Sequence, residues 1–201
     1  SIAGGAIREV IMSKEVWVLL AKGFEEVEAI TPIDYLRRVG AQLSIVGLEA
    51  GPVSGAHRVQ IQTDCLLQDC YGDAKSLPDC IVLPGGLGGS NELAADKRVS
   101  QLILKMMEEK RIVAAICAAP ALVLASLSVL SQRSWTSYPG FEEEVSDGKW
   151  EAGRVVVDEN LITSRGPGCA EEFSLAIAQA LYGTDARESL ANSIIARHCT
   201  T

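Results

Sequence analysis

The chain has 201 residues, 48% hydrophobic and 22% charged, which suits one core-forming domain and excludes a disordered chain. Its formal net charge is −8 with no stripe of Lys and Arg, which argues against nucleic-acid binding. No apolar run approaches the roughly 20 residues needed to span a bilayer, so no membrane association is expected.

The first twelve residues, SIAGGAIREVIM, carry Arg8 and Glu9 and lack the long apolar stretch of a secretory signal. Met12 is the expected initiator. Residues 1–12 read as an N-terminal extension or expression remnant, 13–201 as a single domain, and the location as cytoplasmic. Lys14 to Ala21 (KEVWVLLA) is short and almost continuously apolar, as a buried parallel strand should be. A helix follows Gly23, with Val27, Ile30, Ile33 (or Asp34) and Leu36 at helical spacing. Pro32 should bend or tighten it. Arg37 and Arg38 suit its negative end, and Gly40 is a plausible stop.

Residues 42–48 (QLSIVGL) form a second predicted strand, and 58–70 an excursion with short strands. DCIVL (79–83) is a third buried strand, broken sharply by Pro84-Gly85-Gly86. Asp96 can cap a helix over 97–110. RIVAAI (111–116) leads directly into Cys117 and a helix over 118–126. The stretch 128–150 is polar and turn-rich, with short strands near 134–137. RVVV (154–157) and LITS (161–164) pair as a hairpin around Asp158-Glu159-Asn160. A helix over 171–182 ends at Gly183, and a last helix occupies about 184–198. Strands alternating with helices predict a mostly parallel sheet with helices on both faces. Ligands in such folds bind outside the carboxyl ends of the strands. Gly23–Glu28, Pro84–Gly86 and Cys117 all fall at such ends.

The six cysteines, at 65, 70, 80, 117, 169 and 199, include no C-x-x-C pair, so neither a zinc ribbon nor a disulfide framework is expected. Most should be small buried hydrophobes. Cys117 differs. It sits in AAICAAPA (114–121), with small Ala115 and Ala119 two residues to either side, the pattern of a nucleophile elbow. A tight strand-to-helix turn would place its sulfur at a helix N-terminus, where amides and the dipole favour thiolate. The N–H groups of Ala118 and of Gly86 could form an oxyanion hole. Three acids, Glu25, Glu26 and Glu28, open the first helix; the residues alone do not choose among them.

VWVLLAKGFEEVEAITPIDYLRR (16–38), IVLPGG (81–86), AAICAAPA (114–121) and LITSRGPG (161–168) occur in the order seen in the ThiJ/PfpI superfamily. The chain most resembles the branch that holds the parkinsonism-associated protein deglycase, with glyoxalase III-like activity. The resemblance runs from about residue 14 to 183. It implies a flavodoxin-like three-layer α/β sandwich. It also implies a homodimer with a role in oxidative stress and no metal or organic cofactor. The carboxylate it assigns to the cysteine is Glu28, expected to be protonated and to donate to a Cys117 thiolate. Gly85, Tyr138 and Arg165 are possible supporting residues, with Arg165 ordering its loop or binding an anion. Thr136-Ser137-Tyr138-Pro139 matches a T-x-H-P-like segment, with Tyr138 where relatives often carry histidine. A phenol is a poor base near neutral pH. His57 falls near a position that some relatives fill with arginine, and it reads best as a surface residue; His198 reads as solvated. Residue 118 is Ala where protease-like members carry histidine, which weakens a peptidase or amidase reading. The implied activity is cysteine-dependent glyoxalase or deglycase chemistry on small aldehydes such as methylglyoxal, or on glycated proteins. The alternative is a redox sensor or chaperone that works through Cys117 oxidation.

Overall fold

The computed structural model of the protein describes residues 13–71 and 76–197. The expectations for Met12, the N-terminal extension, His198 and Cys199 lie outside the described residues. Strand β1 (Glu15–Leu20) leads into helix α1 (Glu26–Arg38) and strand β2 (Gln42–Gly47). An excursion follows: β3 (Val53–Ser54), β4 (Gln60–Ile61), β5 (Cys65–Leu66) and the one-turn helix α2 (Leu67–Cys70). Then come β6 (Cys80–Leu83), α3 (Leu87–Ala95), α4 (Lys97–Glu108) and β7 (Ile112–Ile116). A wide helical turn (Pro120–Leu124) and a tight one (Ala125–Leu127) precede short β8 (Ser134–Trp135) and β9 (Lys149–Trp150). The hairpin β10 (Val155–Asp158) and β11 (Leu161–Ser164), then α5 (Ala170–Tyr182) and α6 (Thr184–Ser193), complete the described chain.

Seven strands form one sheet in the order β10-β11-β7-β6-β1-β2-β5, parallel except for the β10–β11 hairpin. The chain winds outward in both directions from β1 and β6, which places a topological switch between them. Alternation along β1 divides the core in two. Val16, Val18 and Leu20 face α1, α5 and α6, while Trp17 and Leu19 face α3, α4 and the 120–127 turns. This is the predicted three-layer α/β sandwich, and every central strand is apolar on both faces because helices cover both.

Three local expectations need correction. In α1, Val27 and Ile30 point outward, and the core stripe is Ala29, Ile33 and Leu36. The helix begins one residue after Glu25, so its inward face also carries Glu28, which is fully buried. Helix α3 was not foreseen, because LGGSNELAA looks like a loop by propensity. Its glycines permit close packing: a Cβ at Gly89 would stand 2.8 Å from both Phe24 N and Phe24 Cα. Cys65 and Cys70 are joined as a disulfide, not separate thiols, because the β5–α2 turn folds their Cα atoms to 6.7 Å apart. Cys80 and Cys169 are buried free thiols, as expected.

Asp96 caps α4 as predicted, accepting from the Arg98 amide at 2.8 Å and from the Arg98 guanidinium. Asp96→Ala should therefore cost about 1 kcal/mol, read as a lower urea midpoint with an unchanged slope.

Candidate functional site

Cys117 leaves β7 in the left-handed region, at φ 66°. For a non-glycine residue this costs on the order of 1–3 kcal/mol and persists only when neighbours enforce it. Two hydrogen bonds do so. The Cys117 N–H donates to Ser164 O at the end of β11, and the Tyr138 N–H donates to Cys117 O, both at 2.9 Å. Ala115 and Ala119 are fully buried on either side, as the elbow pattern requires. The N–H groups of Gly86 and Ala118, read from the sequence as a possible oxyanion hole, both address the sulfur. Gly86 itself adopts φ 89°, and a Cβ there would strike the backbone of Gly23 and Glu25.

Glu28 enters from α1. Its Oε2 accepts the Gly85 N–H at 2.8 Å, while Oε1 is buried without a partner of good geometry. Gly85 lies between the carboxyl and the cysteine: a Cβ there would collide with Glu28 Oε2 and stand 2.5 Å from Cys117 Cβ. Burial pushes the Glu28 carboxyl up to about 7, against its bonds to Cys117 and Gly85 and with the help of the Glu25 charge. Burial, then the charge and hydrogen bond of Glu28, push the Cys117 thiol up to about 12, against the Gly86 and Ala118 amides.

These directions amend the expected electrostatics. The carboxyl is raised as foreseen, but the helix N-terminus does not by itself make the sulfur a thiolate. The two acids titrate as one coupled unit that retains a proton across neutral pH. An ionised sulfur is compatible with this site only when that proton sits on Glu28, because the Glu28 charge then vanishes and the two amides remain.

The other expected residues are dispersed. Tyr138 contributes its backbone to the Cys117 turn, but its ring is half exposed against Phe141, and its hydroxyl has no hydrogen bond among the described residues. Arg165 packs over the Trp150 ring, 5.6 Å from the centroid, and donates to Ala152 O at 3.4 Å. It therefore orders the strand-edge loop, with no hydrogen bond to Cys117 or Glu28. Among the described residues the one histidine, His57, turns Nδ1 toward Glu26 (3.1 Å) and Glu25 (3.4 Å). Glu26 does more than stabilise a helix end: its Oε1 accepts the His57 N–H at 2.7 Å and the Val59 N–H at 3.3 Å. Burial raises the Glu26 carboxyl, but bonds from its own backbone N–H, then from His57 and Val59, outweigh it and hold the group below its usual value. Sequence reasoning missed Ser164 and this Glu26–loop contact, because both act through backbone groups distant in the chain.

The DJ-1/PfpI family pattern matches residues 14–180, and the chain belongs to that family. It is 42% identical to protein dj-1beta of Drosophila melanogaster over 92% of this chain and 98% of that one. It is 34% identical to a deglycase of Pyrococcus abyssi, over 76% of this chain and 90% of the relative. Among solved structures, oxidized DJ-1 of Toxoplasma gondii superposes with a TM-score of 0.86 at 29% identity, covering 91% of this chain and 98% of that one.

Two predictions follow from the geometry. Gly85→Ala should leave the sheet folded but reduce Cys117-dependent chemistry at least a hundredfold, since the methyl group forces Glu28 from the sulfur. Glu28 binds its proton more tightly folded than unfolded. Its stabilising contribution is therefore complete below the ordinary value of 4.5 and is lost as pH rises through about 7. Relative to wild type, Glu28→Gln should gain stability progressively over that window, measured as urea midpoints from pH 4 to 8.

Proposed function

We propose that the protein is a cysteine-dependent glyoxalase or deglycase acting on methylglyoxal-type carbonyls without glutathione. The single observation that supports this best is the Glu28–Cys117 pair, a buried carboxyl raised to about 7 against a thiol that two amides address. Glu28 takes the thiol proton as sulfur adds to the aldehyde carbon, and returns it to the carbonyl oxygen to give a hemithioacetal. The Gly86 and Ala118 N–H groups receive the charge that passes from sulfur to oxygen. Glu28 then removes the C1 hydrogen as a proton and delivers it to C2, while the C1 hydroxyl proton passes to the C2 oxygen, leaving a thioester of a 2-hydroxy acid. Water cleaves the C–S bond, releasing lactate from methylglyoxal and restoring the thiol. The net change is addition of one water, with no external oxidant or reductant. A carboxyl raised to about 7 is matched to giving and taking a proton at neutral pH. On a glycated amine the same attack would free the amine. The deglycase relative makes this substrate class the first to test.

A second reading rests on the same sulfur. The oxidized Toxoplasma relative gives it weight, and Cys117 is a partly accessible thiol while Cys80 and Cys169 are buried. In it, peroxide converts Cys117 to sulfinate, which a protonated Glu28 and the two amides would hold. A homodimer belongs to either reading; the outward Val27 and Ile30 of α1 are consistent with a covered face.

The discriminating experiment is lactate formation from methylglyoxal without glutathione. Cys117→Ala should lose at least a thousandfold and Glu28→Gln roughly a hundredfold. Tyr138→Phe should stay within about twofold, because the hydroxyl has no role in the steps above. Full turnover in Cys117→Ala would remove the enzymatic proposal. Wild type that is inactive, yet gains two oxygens selectively at Cys117 under mild peroxide, would favour the sensor.

A further inference from the structure

Beside the cysteine, and unused by the chemistry above, Glu25, Glu26 and His57 bring three ligand atoms within 4.8 Å of one another. His57 Nδ1 lies 3.1 Å from Glu26 Oε2 and 3.4 Å from Glu25 Oε2. Two ligands each about 2.1 Å from a tetrahedral zinc ion stand roughly 3.4 Å apart, so these two separations are close to two edges of such a site.

The trio is more than a pair of surface acids. Its nitrogen comes from a different segment, the loop after β3, which is bound to the end of β1. The Gly23 N–H donates to Ser54 O and the Ala56 N–H to Phe24 O, both at 2.8 Å. Glu26 is buried, and its Oε1 is committed to the His57 and Val59 amides, which fixes Oε2 toward the imidazole. Outer donors that orient a carboxylate in this way are a regular part of metal sites. Residue 55 is glycine where any Cβ would collide with the Glu26 carboxyl, so the loop is shaped around this group. His57 is the one basic group in ion-pair reach of the two carboxylates among the described residues, which leaves them in excess of charge.

We propose that Glu25, Glu26 and His57 form a three-ligand site for a zinc-class divalent cation at the rim of the cysteine site. Two carboxylates and one imidazole suit a borderline metal better than calcium or magnesium, which favour all-oxygen sets, or copper(I), which favours sulfur. The His57 side chain is 73% exposed, so an ion reaches this edge from solvent, and water or a ligand would complete its coordination. The site adjoins the reactive pair through Gly85, whose carbonyl accepts the Glu25 N–H at 2.9 Å. A metal is the opposite of what the sequence alone suggested.

The test is calorimetric titration of zinc, with cobalt(II) absorption as a second readout, into the full chain with Cys65–Cys70 kept oxidised. Cys117→Ser should retain one equivalent, with no sulfur-to-cobalt charge-transfer band. In that background His57→Ala and Glu25→Gln should each weaken binding at least tenfold, with unchanged melting of the metal-free protein. Loss of binding in Cys117→Ser would assign the metal to the thiol instead. Unchanged affinity in His57→Ala, or no saturable binding at all, would overturn the proposal. None of these readouts depends on turnover of an aldehyde.

Discussion

Glu28, fully buried, stands against the partly accessible Cys117, and both cannot ionise there near neutral pH. Burial raises the proton affinity of each, and the charge of Glu28 raises that of the thiol further. Above the carboxyl's value of about 7 the pair therefore keeps one proton and carries a net charge of one. In one arrangement the charge lies on the carboxylate, which accepts the Gly85 N–H. In the other it lies on sulfur, which receives the Gly86 and Ala118 N–H groups. The site can move charge from oxygen to sulfur by moving one proton a short distance. Both proposed readings, attack on a carbonyl and retention of an oxidised sulfur, draw on that property.

The fold exists, in this respect, to hold three chain segments in contact. Strand β7 ends on Cys117 in a left-handed turn that β11 and residue 138 enforce through backbone hydrogen bonds. Strand β6 ends on Gly85 and Gly86, where any side chain would separate or displace the partners. Strand β1 ends on the loop that starts α1 and aims Glu28 inward. These three strands are central neighbours, buried on both faces, so their carboxyl ends are fixed by the core and not by the loops they carry. Strain at residue 117 is thus supported by packing elsewhere. The Glu26 carboxylate fastens the next loop over the same edge and brings His57 to the rim.

Much of this is legible in the amino-acid sequence. Runs of both-face apolar residues marked the central strands, and Pro84-Gly85-Gly86 and the alanine-flanked Cys117 marked where two of them stop. The choice of Glu28 over Glu25 and Glu26 needed the family resemblance, and the helix face explains it: of the three, Glu28 alone points wholly into the protein. What the residues did not disclose was cooperative or non-local. Helix α3 was hidden because its glycines answer to contact with Gly23 and Phe24, not to helix propensity. Val27 and Ile30 had the spacing of a core stripe, but tertiary packing chose the neighbouring face. The rise of the thiol could not be foreseen from a helix N-terminus alone, because it comes from burial and from the carboxyl's own charge.

The most direct measurement is the pH dependence of Cys117 alkylation by iodoacetamide, followed by mass spectrometry of the peptide that contains it. A shared proton predicts that wild-type reactivity rises with the first ionisation of the pair, near 7. That inflection should vanish in Glu28→Gln, which has no carboxyl to take part. A single inflection at the ordinary thiol value, identical in both proteins, would contradict the shared proton and reduce Cys117 to an independent cysteine.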